Sequence, residues 1–250
     1  MKHFLLVIFF FAVSSIYVNA QLSNGGTLAN FTIDADTKVG YAKFGTTTLL
    51  AYNNDDWFLP VTYSGTGKGV IDTTGASAFR TSLMAGNNIS FSRRMNVVNN
   101  TVVNGRIWVD GLYVRDYIGS NIDSLNMSYD STTFGNAAKN AGNPNTNWNV
   151  GTQTIPGKND LIDGFAHLRR DGSSPSDSLW MNFAISTLGV LGTRYYDIEL
   201  FKKSCVYNST TGLFSTGGTE DGHSEWKFNA SGQIIQTGDL IISATFSPGS

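Results

Sequence analysis

Over residues 178–187 the chain alternates strictly. Met181, Phe183 and Ile185 fall on one side of an extended backbone, and Trp180, Asn182, Ala184 and Ser186 on the other. A period of two belongs to a half-buried β-strand. Strand-like runs recur at 28–33, 39–44, 46–52, 89–98, 102–117, 192–201, 225–229 and 233–235. In 192–201, Tyr196, Ile198 and Leu200 oppose Asp197 and Glu199. A last run over 239–246 is nearly all apolar and reads as a buried strand. Turn chemistry separates the runs. Asn104-Gly105 is a hairpin signal because both residues tolerate positive φ. Asp110-Gly111 is a second such signal, close enough that one of the two can be a bulge. Residues 171–177 (Asp, Gly, Ser, Ser, Pro, Ser, Asp) read as a hairpin tip, and 230–232 as a short turn. Helix formers are scarce: Glu occurs only at 199, 220 and 225. The fold class predicted is all-β, a β-sandwich of jelly-roll type with long surface loops.

Other stretches read as loop. In 55–60, the adjacent acids Asp55 and Asp56 and the proline Pro60 fit a central strand poorly. Residues 64–68 and 72–77 are small and polar. From 121 to 149 the pattern is lost in Asn, Ala, Gly and Thr, with a short helix predicted over 133–140. A patternless loop of that length is functional or mobile more often than structural.

The N-terminus carries an export signal. Lys2 and His3 precede an apolar run over 4–13, and Val18, Asn19 and Ala20 offer small residues at cleavage spacing. Residues 1–20 are read as a signal peptide and 21–250 as one β-sandwich domain, the N-terminal part of a longer protein in one version of this reading. The expected location is secreted or at the cell surface, with no transmembrane segment after signal cleavage. The chain has one cysteine, Cys205, so no intrachain disulfide staples the exported domain. Cys205 is expected to be a small buried hydrophobe beside Val206 and Tyr207. A net charge of −2 argues against a nucleic-acid partner.

Catalytic sets are thinly supplied. His167 and His223 lack metal-ligand spacing, and no serine lies in a nucleophile-elbow motif. His167, between Ala166 and Leu168, reads as a sheet-face residue. Asp197 and Glu199 share a strand face and, with Glu220, Asp221 and Glu225, are the carboxylates a jelly-roll glycosidase or lyase would use. A solvated outer face explains the first two equally well. Asp160 with Asp163, and Asp171 with Asp177, are the best local clusters for a structural calcium, but neither has the calcium-loop spacing. No cofactor is expected. Trp57, Trp148 and Trp226 each sit beside polar residues and are the candidate ligand-binding residues, as platforms for stacking a sugar ring. The ordinary place of a tryptophan is the core. Asn30, Asn88, Asn99, Asn126, Asn208 and Asn229 stand in glycosylation sequons, about as many as this composition produces by chance.

An ordered set of short motifs runs through the final third. It begins with Gly157-Lys158-Asn159-Asp160 and Asp163, then His167 and Arg169, Asp171-Gly172, and Leu179-Trp180. It continues with Gly192-Thr193-Arg194-Tyr195-Tyr196-Asp197-Ile198-Glu199-Leu200, Gly222-His223-Ser224-Glu225-Trp226 and Gly238-Asp239-Leu240-Ile241. In this order they resemble the N-terminal β-rich domains of large secreted or surface-attached adhesin-like proteins of Bacteroidetes-type bacteria. The resemblance covers 157–246 well and 57–117 loosely. It implies a non-enzymatic exported domain, followed in such proteins by repeat modules and a C-terminal sorting domain. It carries over no catalytic residue. The leading expectation is therefore an exported adhesin-like domain whose partner is a glycan or a surface protein. A glycan-binding β-sandwich module comes second, and a jelly-roll glycosidase or lyase third.

Overall fold

The computed structural model describes residues 29–32, 37–40, 43–44, 47–48, 54–85, 91–116, 132–135, 142–152, 156–189 and 192–247. In chain order the elements are β1 (Lys43–Phe44), β2 (Thr47–Thr48), α1 (Ala76–Met84), β3 (Phe91–Arg94), β4 (Thr101–Val103), β5 (Arg106–Arg115), β6 (Thr132–Gly135) and β7 (Asn149–Thr152). They continue with β8 (Leu161–Arg170), β9 (Leu179–Thr187), β10 (Arg194–Leu200), β11 (Cys205–Asn208), β12 (Leu213–Thr216), β13 (Lys227–Phe228), β14 (Ile234–Gln236) and β15 (Leu240–Phe246). The protein is all-β and sandwich-like, built from several antiparallel sheets, as its alternating runs predict. Residues 1–20, read above as a signal peptide, and most of the loop at 117–141 lie outside the described residues.

The chain divides into two compact units. Unit 1 comprises Met1–Thr74, Ser92–Val114 and Phe165–Ala184; unit 2 comprises Gly75–Phe91, Arg115–Gly164 and Ile185–Ser250. The main sheet has the order β3-β5-β8-β9, with β4 paired to β5. The predicted turn between β4 and β5 is present. Asn104 (φ 49°) and Gly105 (φ 75°) join the paired residues Val103 and Arg106. Asp110-Gly111 is no turn but lies inside β5. Glycine is needed there for close approach, since a Cβ would stand 3.0 Å from the Val70 side chain and 3.4 Å from the His167 ring. The tip at 171–177 closes β8 onto β9, with Asp171 N–H donating to Ser178 O and Ser174 N–H to the Asp177 carboxylate.

Unit 1 holds a closed aromatic core. Phe31 meets Trp57 edge-on at 4.8 Å, Trp57 meets Phe165 at 5.0 Å, and Phe165 stacks on Tyr113 at 4.7 Å. Each large side chain so buried contributes about 1.5–3 kcal/mol. The segment predicted as the loop 55–60 runs through this core. Asp55 and Asp56 are buried, and parallel bridges join Phe31 to Asp55, Lys38 to Phe58 and Asp56 to Gly69. Two adjacent acids can be buried here because donors meet them. Asp55 accepts from Arg169, from Lys68 N–H and from Asn104 Nδ2, and Asp56 accepts from Trp57 N–H.

In unit 2, β11-β12-β7-β6 form a four-stranded sheet, while β10 with β15 and β13 with β14 are two-stranded ribbons. Three sequence expectations are corrected here. The helix predicted over 133–140 begins as strand β6, because Thr133 and Phe134 suit a ladder and pair with Gly151 and Val150 of β7. A helix stands instead at α1, on the good formers Ala76, Ala78, Arg80, Leu83 and Met84; it takes the last two residues of the loop read over 72–77, while 72–75 is loop as expected. β15 is a strand but not a buried one. β10 is its one partner among the described residues, and most of its residues are exposed. Among the described residues no helix is long and apolar enough to cross a membrane.

Candidate functional site

The densest meeting of chemistry and aromatic surface is in unit 2, around Trp148. The Asn-rich segment before Trp148 is ordered by its own amides. Asn143 O accepts from the backbone N–H groups of Thr146 and Asn147, and Asn147 Oδ1 accepts from Asn143 N–H. Asn145 clamps the chain across the site, taking Thr216 N–H on Oδ1 at 2.6 Å and giving Nδ2–H to Thr216 O. Its own N–H donates to Asp221 O, while Asn143 Nδ2 donates to the Asp221 carboxylate at 2.9 Å. Asp221 and Gly222 both take positive φ, which turns the backbone so that Glu220 and His223 exchange backbone hydrogen bonds.

That turn sets the His223 ring parallel to Phe201, with centroids 5.4 Å apart and planes 14° apart. His223 Nε2 lies 3.1 Å from Glu199 Oε2, and both side chains are largely covered. Trp148 stands edge-on to Phe201 at 5.5 Å and to Phe134 at 5.1 Å, and is half-buried. The arrangement is a carboxylate–imidazole pair on an aromatic floor. It can hydrogen-bond a hydroxyl and offer an apolar ring face at one place.

The predicted site residues separate. Trp148 belongs to this cluster. Trp226 is 40 % exposed and pinned by its indole N–H, which donates to Asp239 O at 2.6 Å. Trp57 is 4 % exposed, and its ring is covered by Phe31 and Phe165. It offers no stacking platform, because the polar neighbours that suggested a surface, Asp55 and Asp56, are themselves buried.

Four of the five predicted carboxylates are engaged separately, Asp221 by Asn143 as described above. Asp197 accepts from Ser243 Oγ, Glu199 meets His223, and Glu225 meets Lys227. The calcium candidates are likewise taken up: Asp163 accepts from Arg115 and Ser186, and Asp177 from Ser174. Among the described residues no group of three or more His, Cys, Asp or Glu is placed to hold a metal ion. Cys205 is exposed on β11 rather than buried, since that strand sits at the edge of its sheet. Desolvation at the sulfur and the Glu199 charge push its thiol up, away from the reactive thiolate.

The sequence reading missed the polar core of unit 1. Arg169 and Asp55 form a fully buried ion pair, with the guanidinium carbon 5.2 Å from the Trp108 ring centre. Beside it, His167 is wholly buried and its Nδ1 lies 2.7 Å from Asp110 O. Burial, and next the Arg169 charge, lower its pKa from 6.5 to about 3, so the ring is neutral and Nδ1–H is the donor. The available signal was charged residues inside apolar runs, Asp55-Asp56 before Trp57-Phe58 and His167 and Arg169 in β8. No protein family, no curated protein and no solved structure matches this chain.

Proposed function

We propose that this chain is a non-enzymatic contact domain of an exported, adhesin-like surface protein. The observation that carries the reading is the outward apolar surface of unit 2. Tyr195 is 68 % exposed, Ile235 65 % and Phe228 56 %, and Tyr207 and Trp226 join them. These side chains lie on strands and hairpins, where alternation allows a polar residue in their place. Phe228 and Ile234 face each other across β13 and β14, and exposed apolar groups that lie together mark a contact surface, whereas single ones do not. The jelly-roll connectivity, the export by residues 1–20 and the resemblance to Bacteroidetes surface domains belong to the same proposal. The partner is a surface protein or glycan. The test is retention of the purified chain on protein-coated and polysaccharide-coated surfaces, with Tyr195→Ser/Phe228→Ser as the comparison. A loss of at least about tenfold, some 1.4 kcal/mol, supports the reading. Undiminished retention, or turnover of a polymer by the wild-type chain, overturns it.

A second reading is favoured by Trp226 and Trp148 specifically, as a glycan-binding module. The Trp226 ring is held in place by its bond to Asp239 O, a preorganised face for stacking a sugar. Glycan affinity that survives Trp226→Ala together with Trp148→Ala sinks it.

A further inference from the structure

β15 has one occupied edge and one open edge. β10 pairs with it along all seven residues, from Arg194↔Phe246 to Leu200↔Leu240, without a bulge. Among the described residues no strand takes the other edge. Edges of this kind are normally guarded by Lys, Pro, a bulge or a covering element. β15 contains no charge, no proline and no glycine, and four of its seven residues are β-branched or aromatic. Residues opposite one another in a ladder share a face. Leu240, Ile242 and Phe246 therefore lie on the side of Tyr196, Ile198 and Leu200. They are 48 %, 40 % and 49 % exposed.

We propose that a second copy of this chain occupies the open edge, the two β15 strands running antiparallel about Ser243. Self-complementarity of the facing residues selects the occupant, and charge selects the strand. In that register Leu240 faces Phe246, Ile241 faces Thr245, Ile242 faces Ala244, and Ser243 faces its counterpart, so no pair carries a like charge. The other open strand of the ribbon, β10, paired the same way about its centre would set Asp197 against Asp197. Size complementarity agrees, because bulky Ile242 meets small Ala244 twice. At each end of the joined ladder a groove of about 130 Å³, lined by Ile185, Thr187, Arg194, Tyr196 and Phe246, lies beside Phe246. The antiparallel register brings Leu240 of the second copy to that face. The result is a four-stranded sheet with a two-fold axis at Ser243, an isologous contact that closes at two copies.

This goes beyond the contact reading above, since it rests on the strand edge and not on the outward aromatic residues. The test uses the full chain expressed with its own leader and carrying Cys205→Ser. Adding Ser243→Cys is expected to give a covalent dimer on oxidation, because facing residues of an antiparallel pair lie within disulfide reach. Thr245→Cys, which faces Ile241 and not itself, is expected to give none. In sedimentation, Ile242→Lys is expected to weaken the dimer at least about tenfold. A monomer at every soluble concentration overturns the proposal, as does cross-linking that is equal at 243 and 245. If Ile242→Lys fails to fold, the two cysteine variants still decide. A monomer that keeps its surface binding defeats this inference alone, and a cross-linked dimer without surface binding defeats the adhesive reading alone.

Discussion

Unit 1 and unit 2 are built from the same kind of strand but cover it differently. Unit 1 holds nearly every fully buried apolar side chain of the described residues, Phe31, Val39, Val70 and Trp108 among them. It also encloses Asp55, His167 and Arg169 at no measurable exposure. Among the described residues unit 2 buries Ile162 and Pro144 as its only large apolar side chains. It joins its strands instead through half-covered aromatic contacts, Phe134 with Trp148, Phe201 with His223 and Tyr207 with Phe214. A closed core with an internal ion pair tolerates little change, whereas ribbons with outward apolar faces tolerate more.

The comparison is broken most directly at Asp55. Removing its carboxylate leaves the Arg169 guanidinium buried without a counter-charge, which costs about 3–5 kcal/mol. Asp55→Ala should therefore lose amide-exchange protection throughout unit 1, as read by hydrogen-exchange mass spectrometry. Protection kept in β5 and β8 would show that the pair is not structural. Trp57→Ala should come close behind, at about 3–5 kcal/mol for an aromatic deleted from a packed core. Trp226→Ala should shift the urea midpoint by no more than a surface substitution does, about 0.5 kcal/mol. Equal costs at the two tryptophans would erase the distinction between the units.

Acid sharpens the comparison next. An unfolded imidazole takes its proton near 6.5, while His167 in the folded chain takes it only near 3. Between those values the unfolded state binds the extra proton. The contribution of His167 is thus complete above pH 6.5 and drains as pH falls toward 3, by about 1.4 kcal/mol per unit. Urea midpoints measured down that range should fall, and His167→Gln should flatten this part of the slope whatever it costs at neutral pH. A wild-type slope that His167→Gln leaves intact would place the acid sensitivity elsewhere.

Smaller effects follow. Gly105→Ala meets no neighbouring atom, so its cost is the positive φ alone, about 1 kcal/mol. Thermal unfolding reads it. At the bottom of the scale, Glu225→Gln, which breaks the exposed pair with Lys227 in unit 2, should leave the melting temperature unchanged.

Much of the fold was legible from the chain alone because it rests on local rules. Period-two alternation located β9 and β10, and Asn104-Gly105 and the 171–177 tip located their turns, since positive φ and side-chain-to-backbone bonds are decided within a few residues. Part of the candidate site was legible too, as Trp148 and Glu199, but the stacking of His223 on Phe201 and its pairing with Glu199 join residues far apart in sequence. Only the tertiary structure decided burial. Asp55 and Asp56 look like a surface loop until Arg169, 114 positions away, and backbone donors reach them. β15 looks like a core strand, yet among the described residues β10 is its one neighbour and its apolar side chains lie outward. Alternation states which side chains share a face. Which face is covered depends on what the rest of the chain brings against it, and that is a long-range property no local pattern contains.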